Sequence, residues 1–381
     1  MDFGLNSRHK ALRRKVRVLA EREIAPVAQE LDEKHEFPYD IIKKLGQLGI
    51  MGLPFPRQYG GQGADMLSLA IAIEELARVD SSVAITVAAN VCLGGFPIYY
   101  FGTEEQKRKW LVPLAKGQVL GSMGLTESGA GSDAGATATT ARLEGDEWVI
   151  NGSKNFITNS GTNVSAFVTI TAVTGQTNGR KEISNIIIPK GTPGYVQEKP
   201  YKKLGWHASD THGLVFDNCR VPKENLLGER GKGFKQLLKV LDGGRVSVAA
   251  IGLGLTQGCL EMCLNHAKQT MEAGQPLSRQ QLVQHTLAEM ALETELARLI
   301  TYKAAKLQDQ GRPFEKQASM AKLYTSEVAV KAADRGVSLF GELGFLDDFP
   351  ISRFFRDAKI LTIGEGTSEI QRTVIARYLG C

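Results

Sequence analysis

At 381 residues the chain exceeds what one hydrophobic core usually holds, so two or three domains are expected. Its 43% hydrophobic and 23% charged residues are ordinary for a globular enzyme, and a net charge of +5 spread along the chain argues against a nucleic-acid surface while suiting a polyanionic small ligand. No apolar run of about 18 residues predicts a membrane span, and MDFGLNSRHKALRRKV lacks the apolar core of a signal peptide, so the expected location is cytoplasmic, or the mitochondrial matrix in a eukaryote.

Residues 1 to about 120 carry a helical period. Near the N-terminus, lysines and arginines interleave with Leu12, Val16, Leu19 and Ala20 as a solvated helix face; Glu21 and Glu23 follow and argue against a targeting helix. The apolar stretch LSLAIAIEELARVDSSVAITVAANV reads as a buried helix with an interruption near Asp80–Ser82. In TEEQKRKWLVPLA, Thr103 is an N-cap with Gln106 at the capping-box position. From about 121 to 228 the period becomes two. ATATTARLEGDEWVING predicts a hairpin turning over 144–147, and SAFVTITAV, ISNIIIPK and HGLVFDNCRVP are further strands rich in threonine and β-branched residues. Several short strands in succession predict a small β-barrel or sandwich. From Gly231 the helical period returns in four stretches, FKQLLKVLDGGRVSVAAIGLGLTQGCLEMCLNHAKQ, SRQQLVQHTLAEMALETELARLITYKAAKL, EKQASMAKLYTSEVAVKAADRGVSLFG and TSEIQRTVIARYL, which make an antiparallel bundle. The expected fold is α+β and multidomain: an N-terminal all-α domain (1–120), a middle β-barrel domain (121–228) and a C-terminal four-helix bundle (229–381). Cys92, Cys219, Cys259, Cys263 and Cys381 form no C-x-x-C and read as small hydrophobes rather than metal ligands or disulfides.

Four stretches carry candidate chemistry, each with a plainer alternative. MGLTESGAGSDAGA (123–136) is a loop whose backbone amides can cradle a phosphate or a flavin edge; it lacks G-x-G-x-x-G and G-K-[ST], and the alternative is an interdomain loop. In NGSKNFITNSG (151–161), Phe156 and Thr158 are two apart on a strand and share a face, a platform for a flat ring or simply a core pair. VLDGGRVSVAA places Arg245 after a glycine pair that costs a helix about 1–2 kcal/mol, which close approach of a ligand or of another helix would explain. In IGEGTSEIQR, Ser368 and Gln371 make a capping box, so the last helix starts near Thr367 or Ser368, with Ile370, Val374, Ile375 and Tyr378 on one face. Glu365, between Gly364 and Gly366, is then either a partner of the helix dipole worth about 0.3–1 kcal/mol or a general base aimed into a cavity. The residues alone leave both open.

LTESGAGSDAGA, VINGSKNFITN, LVFDNCRVPKENLLGERGKGF, LDGGRVSVAAIGLGLTQG, FRDAKI and GEGTSEIQRTVIAR together resemble the acyl-CoA dehydrogenase family over essentially the whole chain. The resemblance implies an oxidoreductase of fatty acid metabolism with the same three-domain order. It implies FAD between the β domain and the bundle, an acyl-CoA substrate beside it, and electron-transferring flavoprotein as partner. A homotetramer built as a dimer of dimers is the implied assembly. Glu365 matches the base that takes the α-proton while hydride leaves the β-carbon for the flavin, giving a trans-2-enoyl-CoA. The Glu365 backbone N–H and the flavin ribityl chain would both donate to the thioester carbonyl. Burial by flavin and substrate would raise the Glu365 pKa against the helix terminus. Leu125, Thr126 and Ser132 match the flavin- and ligand-contacting loop, with Ser132 also near the CoA. Phe156 and Thr158 match the flavin-stacking aromatic and its neighbouring hydroxyl. Thr367 and Glu369 match flavin contacts, Asp242 and Arg245 match CoA contacts, and Gly364 and Gly366 flank the substrate. Some members carry the base one residue before this arginine; here that residue is Gly244, so the role falls on Glu365.

The chain also departs from the family pattern. In QTMEAGQPL, Thr270 and Ala273 stand at the arginine and phenylalanine positions of an R-x-x-F-G segment that reaches the partner's FAD. In SLFGELG, Ser338 and Glu342 replace the glutamine and second glycine of Q-x-x-G-G. Losing a charge-assisted contact to a phosphate costs about 1.5–3 kcal/mol. Three outcomes are open: weak but adequate FAD binding, a hetero-oligomer whose other subunit supplies the clamp, or a CoA-ester-binding subunit or non-redox enzyme. Gly364 replaces the tyrosine usual in straight-chain members, which predicts a branched, cyclic or otherwise bulky apolar acyl group. Ala84, with Val87 and Val91 nearby, stands where glutaryl-CoA dehydrogenases hold an arginine, which argues against a dicarboxylic substrate.

Overall fold

The computed structural model describes residues 4–381; the first three residues of the 1–120 stretch lie outside the described residues. Eight helices precede the sheet: α1 (Ser7–Leu19), α2 (Ala28–Lys34), α3 (Tyr39–Gln47), α4 (Met66–Ala77), α5 (Ser81–Ala88), α6 (Phe96–Phe101), α7 (Glu104–Gln106) and α8 (Val112–Ala115). Wider π-type turns cover Ala20–Ile24, Ala89–Gly95 and Lys107–Leu111. The break expected near Asp80 is real. Asp80 is extended and its carboxylate accepts from the Val83 N–H, capping α5, while its other oxygen takes Arg353 at 2.6 Å. Thr103 and Gln106 close a reciprocal capping box at α7. Helices α4 and α5 are buried on every side, as their nearly unbroken apolar sequence requires.

The middle of the chain forms β1 (Leu120–Gly124), β2 (Thr140–Glu144), β3 (Glu147–Thr158), β4 (Ser165–Thr177), β5 (Arg180–Pro189), β6 (Tyr195–Pro200), β7 (Thr211–Pro222) and β8 (Leu226–Leu227). They make one sheet in the order β6-β7-β3-β2-β4-β5-β8, with β1 added parallel to β4. The expected hairpin turns between Glu144 and Glu147, which face each other across β2 and β3. The sequence pattern does not announce β1 or β6. β1 is buried throughout and shows no alternation, and β6 is a largely exposed strand at the end of the sheet order that finishes in a proline. Trp148, Ile150, Ile170, Ile186, Leu214 and Phe216 fill the core of this layer.

The C-terminal layer holds α9 (Gly233–Gln269), the small hairpin β9 (Met271–Glu272) and β10 (Gln275–Pro276), then α10 (Gln281–Asp309), α11 (Glu315–Phe340), α12 (Pro350–Ala358) and α13 (Ser368–Leu379). The nine-residue α12 is one helix more than the four expected; Pro350 starts it, and Ile351, Phe354 and Ala358 bury one face. Helix α9, about 55 Å long, runs against α4, α10 and α11. A Cβ at Gly254 or Gly258 would lie 2.4 Å from the Glu74 or Arg78 carbonyl oxygen, so α9 meets the end of α4 backbone to backbone. The segment Ser81–Phe101 and helix α9 are each long and apolar enough to cross a membrane by length and composition, and both are mostly buried within the fold.

Candidate active site

Glu365 sits in the turn between a 3-10 segment (Lys359–Thr362) and α13. Its φ is +57° and that of Gly366 is +89°. Two successive residues are therefore left-handed, at a cost of about 1–2 kcal/mol for the non-glycine one. The Gly364 N–H donates to the Ile360 carbonyl at 2.9 Å. Lys322 Nζ, from α11, donates to the Gly366 carbonyl at 2.5 Å, and the Gln371 amide reaches the Glu365 and Gly366 carbonyls at 3.3 and 3.1 Å. The last helix starts at Ser368, as expected, but the expected Ser368–Gln371 capping box does not form. Thr367 is the N-cap, its Oγ1 accepting from the Ile370 N–H, and Gln371 serves the turn instead of closing a capping box. Ser368 Oγ is buried without a partner. Of the expected α13 face, Ile370, Val374 and Ile375 are half-buried and Tyr378 is exposed. The Glu365 backbone N–H finds no acceptor among the described residues.

The Glu365 side chain points at α9. A Cβ at Gly244 would lie 3.1 Å from Glu365 Oε2, so this glycine gives room to the carboxylate, while its neighbour Gly243 faces Gln308 and Phe96. The residue as a whole is half-buried, but Oε2 is shut from solvent and has no hydrogen-bond partner. Burial pushes the carboxyl up to about 7, against the pull of Arg245 and Lys322. Neither flavin nor substrate is needed for this shift. Arg245 is itself buried; its Nη1 donates to Asp242 Oδ1 at 2.6 Å and approaches Ser319 Oγ at 3.5 Å. Burial raises the half-buried Asp242 to about 6 despite Arg245. Lys322 is wholly buried, which lowers it to about 8.

The glycine-rich loop is braced from beneath by an ion pair that sequence reasoning misses. Lys154 has no exposed surface, and its Nζ donates to Glu127 Oε1 at 2.6 Å, Thr137 Oγ1 at 3.0 Å, Thr171 Oγ1 at 3.1 Å and the Leu125 carbonyl at 3.3 Å. The Glu127 carboxylate also accepts from the Thr137 hydroxyl and the Ala138 and Thr139 amides. Burial works to raise the Glu127 carboxyl, and these donors outweigh it and hold it down to about 2. Half-buried Leu125 packs with Met123, Leu237 and Val240. Val240 and Gly244 lie one helical turn apart, so this loop and the Glu365 carboxylate meet the same stretch of α9.

Phe156 and Thr158 both face away from buried Ile157, but not through simple alternation. The β3–β7 register shifts between Lys154 and Ile157, and Phe156 has φ +60°. This irregularity turns Lys154 inward and leaves Phe156 64% exposed, stacked on Tyr201 at 4.7 Å. Thr158 is half-buried, Ser132 and Glu369 are exposed, and a Cβ at Gly129 or Gly131 would meet nothing within 4 Å. A loop of free backbone and small side chains beside an exposed aromatic face fits a flat, phosphate-bearing cofactor such as FAD. Asp357, in FRDAKI, accepts from the Trp206 N–H and the Ser81 hydroxyl, both at 2.6 Å, and so ties α12, α5 and the β6–β7 connection together. Lys154 and Asp357 lie in two of the segments that carry the resemblance, VINGSKNFITN and FRDAKI, but no pattern there announces these contacts, and the only signal at Lys322 is a lysine on an otherwise small and apolar helix face.

Thr270 lies about 40 Å along α9 from Gly244, and Ala273 is in the small hairpin just beyond that helix. The Thr270 hydroxyl is engaged by the His266 ring at 3.1 Å, and Ala273 with Gly274 forms the positive-φ tip between β9 and β10. Ser338 and Glu342 are exposed at the end of α11 and just beyond it.

Three family models, described as the N-terminal, middle and C-terminal domains of acyl-CoA dehydrogenase, match residues 6–118, 122–219 and 231–380. The chain is 48% identical over 380 residues to the probable acyl-CoA dehydrogenase YngJ of Bacillus subtilis, covering 100% of each. It is 46% identical over 376 residues to the short-chain specific acyl-CoA dehydrogenase of Clostridium acetobutylicum, covering 99% of each. Among solved structures it matches butyryl-CoA dehydrogenase from Megasphaera elsdenii with a TM-score of 0.97 and 41% identity, covering 100% of both chains.

Proposed function

Because the chain belongs to the acyl-CoA dehydrogenase family, whose members are FAD-dependent oxidoreductases, we propose that it converts a short acyl-CoA to its trans-2-enoyl-CoA with Glu365 as the base. The observation that carries this reading is the Glu365 carboxylate, buried, unpartnered at Oε2 and raised to about 7. A general base works best with a pKa near the operating pH.

Leu125, Thr126, Ser132, Phe156, Thr158, Thr367 and Glu369 would hold FAD, which when bound would supply the two-electron acceptor for the hydride from the β-carbon. Glu365 takes the α-proton onto its carboxylate. Its own backbone N–H, without a protein acceptor, donates to the thioester oxygen as negative charge develops there. Asp242 and Arg245 face the CoA, and Arg245 also helps keep Glu365 ionised.

A Cβ at Gly364 would meet only the Ile360 carbonyl oxygen, at 3.7 Å. This open side supports a branched or cyclic acyl group, kept short by analogy with the relatives named for short chains. Electron-transferring flavoprotein as acceptor, a homotetramer and a cytoplasmic location belong to the same proposal. One steady-state experiment tests its centre. Glu365→Gln should lower kcat by about 10²–10⁴-fold with FAD retained, and the wild-type enzyme should favour branched over straight short acyl-CoA esters. Retained turnover in the variant sinks the base, and a straight-chain preference sinks the bulky substrate.

A further inference from the structure

Two buried charges meet where α9, α11 and α13 converge, and the mechanism above uses only Glu365 as a reacting group. The other is Lys322, in the first half of α11, wholly buried among Ala318, Ser319, Ala321 and Ser326. A buried ammonium is expensive to keep and needs a strong partner. Lys322 forms no ion pair among the described residues; its hydrogen bond goes to the Gly366 carbonyl, at 2.5 Å. That carbonyl belongs to the second of the two left-handed residues, immediately after Glu365. A charged donor makes this a stronger tie than the Gln371 amide on the same oxygen at 3.1 Å. The charges around Lys322 are Glu365, Arg245, Glu369 and Glu327, with Arg245 paired to Asp242 and Glu327 to Arg372.

We propose that Lys322 is a positioning residue for the base: its ammonium pins the Gly366 carbonyl, fixing the left-handed turn that aims the Glu365 carboxylate at α9. This rests on Glu365 being the base. Without the pin, the Gly366–Thr367 peptide loses its strongest anchor, and the left-handed pair before it relaxes from a backbone conformation that glutamate disfavours. Without the charge, Arg245 alone opposes the burial of the carboxylate, and the Glu365 pKa rises.

The two contributions separate in the FAD-loaded enzyme. Lys322→Gln keeps a donor and removes the charge; Lys322→Met removes both. The pH profile of kcat/KM for a short acyl-CoA is measured, with flavin absorbance for FAD content and thermal melting for folding. Lys322→Gln should move the acidic limb up by about one pH unit, an about tenfold loss below the limb, and approach wild type on the alkaline plateau. Lys322→Met should also lose about 10- to 100-fold in kcat on that plateau. Lys322→Arg, which keeps charge and donor, should restore the acidic limb. If Lys322→Met does not fold, the Lys322→Gln profile decides. A Lys322→Gln limb that overlays wild type overturns the proposal. Glu365→Gln is run alongside: if it is inactive while Lys322→Gln behaves as wild type, only the lysine's role falls; if it is active, the base assignment falls first.

Discussion

Glu365 titrates close to neutral pH, and its shift has a sign that can be followed into stability. Its carboxyl is raised to about 7 in the fold from an ordinary value of 4.5. Between those values the folded state holds a proton that the unfolded chain has released. Stability therefore falls as pH rises through that window and levels off above it. The full loss is on the order of 3 kcal/mol at pH 8 and largely absent at pH 5. Glutamine carries no such charge. With no acyl ligand bound, Glu365→Gln should melt higher than wild type at pH 8 and close to it at pH 5; a gain equal at both pH values would contradict the buried-carboxylate account. At this scale the sequence reaches the acid and its flanking glycines, because turns and caps are written locally. It does not reach Lys322 or the loss of solvent at Oε2, because both depend on a helix more than 40 positions away in the chain.

Among elements, the same limit explains which strands and helices are legible. The β2–β3 hairpin and the three long bundle helices carry strong periods and emerge at nearly their observed bounds. β1 is buried on both faces and α12 is short, so neither has a period to read. The bulge at Phe156 is visible only through pairing with β7. The Lys154–Glu127 pair makes β3 and the glycine-rich loop one mechanical unit, and breaking it from one side strands a buried charge. Lys154→Met should cost about 3–5 kcal/mol in urea unfolding and weaken FAD retention. Adding Glu127→Gln should recover part of that stability, since the orphaned carboxylate is then gone. If the double variant is as unstable as the sum of the two single ones, the pair is not acting as a unit.

For the whole molecule, Thr270, Ala273, Ser338 and Glu342 matter because of where the fold puts them. Thr270 and the hairpin tip lie at the opposite end of α9 from Val240 and Gly244, so within one chain they are remote from the candidate site. Phe345 is 87% exposed and Met271 60% exposed. A second copy covering them would bring Thr270 toward the partner's cofactor loop, as the family resemblance implies. There a threonine, its hydroxyl already engaged by His266, replaces a guanidinium that would meet a phosphate. Light scattering of the FAD-loaded protein should give four 41.4 kDa chains per particle. Thr270→Arg should leave that mass unchanged while slowing FAD loss, by about tenfold or more if the lost contact has the usual strength of a charge-assisted hydrogen bond. The arginine gains nothing unless a phosphate lies within its reach, so unchanged FAD dissociation from an intact tetramer would show that these positions do not serve the cofactor here. A monomer that nonetheless holds FAD firmly would remove the partner from the site altogether.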